Sequence, residues 1–160
     1  MRFNKTLRNL FIVLFSTLMI SACATAKKEA ADPLKNDVYT GTDTIEYLAN
    51  GVPDRVFFAT NKSNLTTAAR DTLRKQATWL RKNKKITVTI EGHADERGTR
   101  EYNLALGERR ANSAKDYLMT YGVSGKRLSV ISYGKERPVN PASSPLAWSQ
   151  NRRSVTVKAN

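Results

Sequence analysis

The sequence is poor in the residues that most protein chemistry relies on. It holds one cysteine and one histidine in 160 residues. A single cysteine excludes any internal disulfide. A zinc centre of the His/Cys type needs three or four such ligands, which argues against that chemistry too. Any nucleophile–histidine arrangement would have to use His93. Aromatic residues make up 8% of the chain, with no interleaved aromatic platform of the kind that binds single-stranded nucleic acid. The longest apolar run, Leu10–Ile20, is well short of the roughly 20 residues that span a bilayer. No internal repeat is visible, and 160 residues suit one domain with some chain left over.

What the sequence has in excess is positive charge. There are 27 basic residues against 14 acidic, a net charge of +13. The first 22 residues hold three of the basic ones, Arg2, Lys5 and Arg8, and no acid, so the charge without them is +10. Such a surface attracts polyanions. Nucleic acid, acidic headgroups and cell-wall carboxylates all qualify, and charge alone does not choose among them.

Residues 1–9 are polar and basic, 10–20 are apolar, and Ser21, Ala22, Cys23 and Ala24 are small. This is the order of a secretory signal ending at its cleavage site. The segment Ile20-Ser21-Ala22-Cys23 reads as a bacterial lipobox, with cleavage before Cys23 and lipid on its thiol. Each buried methylene contributes about 0.8 kcal/mol, so more than one acyl chain anchors firmly. The resemblance to known lipoproteins, in which an aspartate after the cysteine favours the inner membrane, implies the outer membrane here, since Ala24 stands in that place. Three segments are expected: a signal peptide at 1–22, a lipidated N-terminus with a flexible tether at 23–53, and a folded domain at 54–160. Pro33, Gly41, Gly51 and Pro53 punctuate the tether, and Thr44–Leu48 could dock or form a brief turn of helix. Fully extended, thirty residues reach on the order of 100 Å.

From Asp54 the pattern turns regular. Residues 55–59 form a β-rich run. Leu65, Ala69, Leu73, Ala77 and Leu80 recur at helical spacing, which predicts a helix over about 66–82 with Thr66 as its N-cap. Ile86, Val88 and Ile90 alternate with threonines as in a half-buried strand. A polar loop, 92–99, leads to a second helix over about 100–121, stopped by Gly122. Residues 128–133 and 155–157 read as further strands, separated by a proline-bearing loop at 134–147. The order predicts an α+β fold, a two-layer β-α-β-α-β-loop-β sandwich with both helices on one face of a mixed four-stranded sheet.

The motifs Glu91-Gly92-His93-Ala94-Asp95-Glu96-Arg97-Gly98-Thr99, Tyr102-Asn103-Leu104 running to Arg109-Arg110-Ala111, Ser132-Tyr133-Gly134-Lys135-Glu136 and Asn151-Arg152-Arg153 occur in this order. Together they resemble the OmpA-like peptidoglycan-binding domain family, in its lipoprotein branch, over about residues 54–157. The resemblance implies non-covalent binding of the wall's stem peptide through diaminopimelate. It also implies tethering of the outer membrane to the wall, with the folded domain in the periplasm. A place in the Tol–Pal envelope system, with TolB as partner, is implied as well. An OmpA-like wall anchor outside that system is the alternative. No cofactor and no enzymatic activity are implied.

The free end of diaminopimelate carries an ammonium and a carboxylate, and a zwitterion wants one anion and one cation at a fixed separation. The resemblance assigns the ammonium to Asp95 and the carboxylate to the planar donors of Arg110. Read without it, Asp95 and Arg110 could equally pair with each other, or Asp95 could cap a turn. Asn103 and Leu104 are candidates for the same pocket, with core packing an equal reading for Leu104. His93 reads as structural. Arg109, Arg152 and Arg153 either hold sheet ends or meet wall carboxylates. Family members commonly carry an acidic loop after the first strand. Here the loop is Phe58-Ala59-Thr60-Asn61-Lys62-Ser63, so Phe58, Ala59 and Thr60 are expected to offer main-chain groups only.

The enzyme reading, a wall hydrolase, would need a nucleophile with its base, a metal, or two carboxylates flanking the bond. Glu91, Asp95, Glu96 and Glu101 show no signature spacing for it. Export argues against nucleic acid as partner.

Overall fold

The computed structural model describes residues 34, 35 and 37–159. The signal segment and Cys23 lie outside them. The elements run β1 (Leu34–Lys35), β2 (Val38–Tyr39), β3 (Tyr47–Ala49), β4 (Val52–Pro53), β5 (Arg55–Phe57), α1 (Thr67–Lys82), β6 (Val88–His93), α2 (Arg100–Thr120), β7 (Leu128–Gly134), α3 (Pro145–Asn151) and β8 (Arg153–Lys158). The main sheet has the order β5-β8-β6-β7. Strands β6 and β7 are parallel, as a connection through α2 requires, and β8 is antiparallel to both β5 and β6. The expected α+β sandwich on a mixed four-stranded sheet is what is found.

One core holds the layers together. Ala69, Leu73, Ala77 and Leu80 of α1 pack with Ala111, Ala114 and Leu118 of α2 over Val56, Val88, Ile90 and Leu128 of the sheet. The expected cap forms, with Thr66 accepting from the Ala69 amide. Gly122, at φ +81°, ends the chain's helical run after α2 in the left-handed conformation that glycine tolerates. The Arg127 side chain donates to the Leu80, Asn83 and Ile86 carbonyls, closing the C-terminal end of α1.

Two expectations change. The second half of the presumed tether is folded. Tyr39 and Leu48 are buried, and Tyr39 meets Phe57 edge to face at 4.8 Å. The Asp54 amide donates to Glu46 O, Gln150 to Asp43 and Gln76 to Pro53 O. Two apolar side chains in a polar stretch are thus buried against the domain. Thr44–Leu48 accordingly docks rather than forming helix. Secondly, α3 begins where only loop was expected. Pro145 stands at the start of the helix, where its missing N–H costs nothing, and Ser144 caps it.

The sheet and α2 approach most closely at two glycines. A Cβ on Gly92 would collide with the backbone carbonyl of Gly107, and one on Gly107 with Ser132 Oγ and the Gly92 carbonyl. Backbone cannot swing aside as a side chain can. Gly92→Ala should therefore cost at least about 2 kcal/mol in urea denaturation. Gly51→Ala meets no neighbour within 4 Å but sits at φ +70°, so about 1 kcal/mol is expected there. Equal costs at the two positions would show that the Gly92–Gly107 contact is unimportant.

Candidate functional site

Four stretches that are separate in sequence meet at one end of the sheet. They are the β5–α1 loop, the β6–α2 loop, the turn after β7 and the residues leading into β8. The β6–α2 loop is held from below. The Ala94 amide donates to Gly134 O at 2.7 Å. Lys135 Nζ reaches Gly98 O at 2.8 Å and Glu96 O at 3.1 Å. Arg100 pairs with Glu136, and Ser132 Oγ donates to Leu104 O. The motif Ser132–Glu136 thus serves mainly as a mount for residues 94–104.

Asp95 is 7% exposed. Its Oδ1 accepts from the Arg97 amide and from Arg97 Nε, both at 3.1 Å. Its Oδ2 accepts from Arg97 Nη2 at 2.7 Å and Arg152 Nη1 at 3.3 Å. Burial raises its pKa. The hydrogen bonds and charge of Arg97, with the bond from Arg152, outweigh burial and hold it below the ordinary 3.8. Arg97 is partly exposed and lies over the Trp148 ring, 4.4 Å from its centroid. Trp148 in turn donates to Glu96.

Arg110 is wholly buried. Its Nε donates to Lys62 O at 2.9 Å, Nη1 to His93 O at 2.8 Å and Nη2 to Ala59 O at 3.2 Å. It also stacks over Phe58. Burial first, then the charge of Arg152, push its pKa down to about 10, with Asp95 opposing. Asp95 and Arg110 do come to one place. They do not form the direct pair that was one reading of them: Asp95 caps its own loop and binds Arg97 and Arg152, while Arg110 holds backbone.

Arg152, whose role the sequence left open, is the second buried guanidinium, 1% exposed. Its Nε donates to Phe58 O at 3.0 Å, and Nη2 donates to Asp37 O at 2.6 Å and Asp37 Oδ1 at 2.9 Å. The Phe58 amide returns a bond to Arg152 O. Phe58 is therefore a core residue with both main-chain groups engaged, and its expected main-chain offer is withdrawn. The Ala59 carbonyl is likewise taken, by Arg110. The Thr60 amide donates at 2.8 Å to Asp37, and Thr60 Oγ1 accepts from Arg97. Asn103 is buried and fastens the loop through Arg97 O at 2.9 Å. Leu104 is half-buried, with its carbonyl on Ser132.

His93 is buried, with Nε2 3.5 Å from Glu91. Burial, then the charges of Arg153, Arg137 and Arg55, hold its pKa at about 3, so the ring is neutral at neutral pH. Arg153 spans from Asn151 O to Arg137 O, and Arg109 lies near the Tyr102 ring. Arg97, Trp148 and Asp37 were not singled out from sequence. Arg97 lay in the quoted motif. Asp37 is 115 positions from Arg152 and carried no signal. Among the described residues, no group of three or more His, Cys, Asp or Glu side chains is placed to hold a metal.

The two titrations leave separate marks on acid stability. In the unfolded chain His93 protonates near 6.5, but in the fold only near 3. Its contribution is complete above about 6.5 and is lost as pH falls toward 3. The depressed Asp95 contributes above about 4 and loses that as pH falls through its lowered value. Denaturant titrations from pH 8 to 2 should show His93→Gln flattening the upper window and Asp95→Asn the lower one. Unchanged pH profiles would contradict these assignments.

The described domain has known counterparts. The family model described as the OmpA family matches residues 57–152. A peptidoglycan-associated lipoprotein of Mesorhizobium japonicum is 47% identical over 149 residues, covering 91% of this chain and 89% of the relative. One of Pasteurella multocida is 34% identical over 151 residues, covering 94% and 97%. The crystal structure of the peptidoglycan-associated lipoprotein from Burkholderia pseudomallei superposes with a TM-score of 0.65 at 34% identity, over 66% of this chain and 90% of that one. The C-terminal domain of Helicobacter pylori MotB, at 22% identity, shares the fold with a TM-score of 0.62 over 67% of this chain and 84% of its own.

Proposed function

The chain belongs to the OmpA family and, within it, to the peptidoglycan-associated lipoproteins; on that premise we propose that its domain binds the wall's stem peptide through the free end of diaminopimelate. The observation that carries this reading is the cluster of Asp95, Arg110 and Arg152. Two buried guanidiniums and one buried carboxylate lie beneath an exposed loop edge. A zwitterion meets both signs there within one small area.

In this reading the ligand's ammonium takes the place of Arg97 on Asp95. Arg97 is the exposed, movable partner of that carboxylate, so one cation replaces another and Asp95 is never left buried and unpaired. The ligand's carboxylate settles over the Arg110–Arg152 pair. Arg110 contributes mostly charge and a fixed loop, since three of its donors stay on Lys62, His93 and Ala59. Asn103 supports the loop. Leu104 lines the rim of the site.

The remaining assignments extend the same reading. Cleavage before Cys23 and lipidation there would place the chain at the outer membrane, with the domain in the periplasm. The chain would then join membrane to wall within the Tol–Pal system, with TolB as partner and without catalysis. That assignment rests on kinship. Cys23→Ser should move the protein from the membrane to the soluble fraction on cell fractionation. A variant still in the membrane would remove the lipid anchor from the account.

The site is tested by co-sedimentation with purified wall sacculi. Asp95→Asn keeps the shape and removes the charge, and should weaken binding at least tenfold. Arg110→Ala should do the same, with circular dichroism to check that the loop and domain remain folded. A peptide whose diaminopimelate is replaced by lysine should bind more weakly than the natural one. Parent-like binding by Asp95→Asn would move the site elsewhere.

A further inference from the structure

The β5–α1 loop has no acid of its own, yet a carboxylate is seated on it. Asp37 stands at the turn between β1 and β2, each two residues long. Its Oδ2 accepts from the Thr60 amide at 2.8 Å. Its Oδ1 and main-chain oxygen accept from Arg152 Nη2 at 2.9 and 2.6 Å. The side chain is 52% exposed, whereas that of Arg152 is 2% exposed. The backbone holds it there at φ +61°, a left-handed conformation that aspartate tolerates better than most residues. A backbone N–H beside a guanidinium is how proteins commonly receive a carboxylate.

We propose that Asp37, seated on the Thr60 amide and the Arg152 guanidinium, is an internal stand-in that the wall peptide's free carboxylate displaces. This rests on the wall-peptide reading above and adds a competitor to it.

Charge balance supports the exchange. Arg152 lies close enough to the buried Arg110 to lower its pKa, and Asp95 must serve Arg97 as well. With the place of Asp37 empty, the two buried guanidiniums would share Asp95 alone, at the cost of an under-compensated buried charge. Asp37 relieves that cost, and so would any carboxylate in the same place. Exchanging one for the other leaves the buried charge unchanged. The hairpin that carries Asp37 is short, and an isolated two-stranded hairpin has little stability of its own, so it can be released. Tyr39, further along, remains packed on Phe57, and Leu48 remains buried. Wall binding would thereby free the tether from the domain at Asp37 without unfolding the segment beyond it.

The test uses the full chain and a stem tripeptide ending in diaminopimelate with its carboxylate free. Asp37→Asn and Asp37→Gly both tolerate the left-handed backbone and both remove the competing charge. Each should bind the tripeptide about fivefold or more tightly than the parent by calorimetry. The gain should vanish with a tripeptide amidated at that carboxylate. Hydrogen exchange supplies a second readout: saturating tripeptide should speed exchange at Val38 and Tyr39 while Thr60 stays protected. Equal or weaker binding by both variants, an equal gain with the amidated peptide, or unchanged exchange at Val38 and Tyr39 would overturn the stand-in. If parent and variants alike fail to bind tripeptide and sacculi, the wall-peptide reading itself fails and the stand-in with it.

Discussion

Two buried guanidinium groups hold the functional end of this domain together. Arg110 comes from α2 and Arg152 from the residue before β8, and both reach the loop after β5. Their donors satisfy carbonyls of Phe58, Ala59, Lys62 and His93. The bonds to Phe58 O and His93 O lie in the buried interior, and losing such a partner costs roughly 1–3 kcal/mol each. Desolvating a charge is costly in turn, and the lowered pKa of Arg110 records that cost. Only Asp95 is buried alongside them. The site is thus short of negative charge by construction, and a carboxylate from outside the core is welcome there. Asp37 is the one this chain supplies.

The same constraint explains which parts of the molecule were readable in advance. Elements defined by local pattern were legible: the 3.6-residue stripe of α1, the alternation in β6, the cap at Thr66 and the stop at Gly122. The domain's start was misplaced because Tyr39 and Leu48 are isolated apolar residues in a polar stretch, and periodicity has nothing to count there. Helix α3 was hidden by Pro145, whose role at a helix start looks from sequence like a loop. Asp95 and Arg110 were singled out through the motif, and the fold brings them to one place. The motif did not say that Arg110 would face backbone and not solvent. That arrangement depends on carbonyls up to 51 positions away. The bridge from Arg152 to both Asp95 and Asp37 is a tertiary fact with no local signature.

Taken with its kinship, the geometry describes a holding device. His93 is buried and neutral, and its neighbours are guanidiniums that keep it so, which suits a structural residue better than a base. Arg97 and Asp37 are partly exposed and each sits on a buried group of opposite charge. In the proposed function the ligand's ammonium replaces Arg97, and in the further inference its carboxylate replaces Asp37. The free site then stays assembled without ligand, because Asp95 and Arg152 already have counter-ions and Arg110 is bonded to carbonyls. The strong positive charge of the chain suits a polyanionic wall and also suits a membrane surface.

The most direct measurement is a map of backbone amide shifts as the diaminopimelate tripeptide is titrated into the protein. If the loops at the end of the sheet are the wall site, the perturbed amides will cluster at 37–40, 59–62, 94–98 and 103–104. Perturbations confined to the exposed basic face of α1, or none at saturating peptide, would contradict the assignment of the site to Asp95, Arg110 and Arg152.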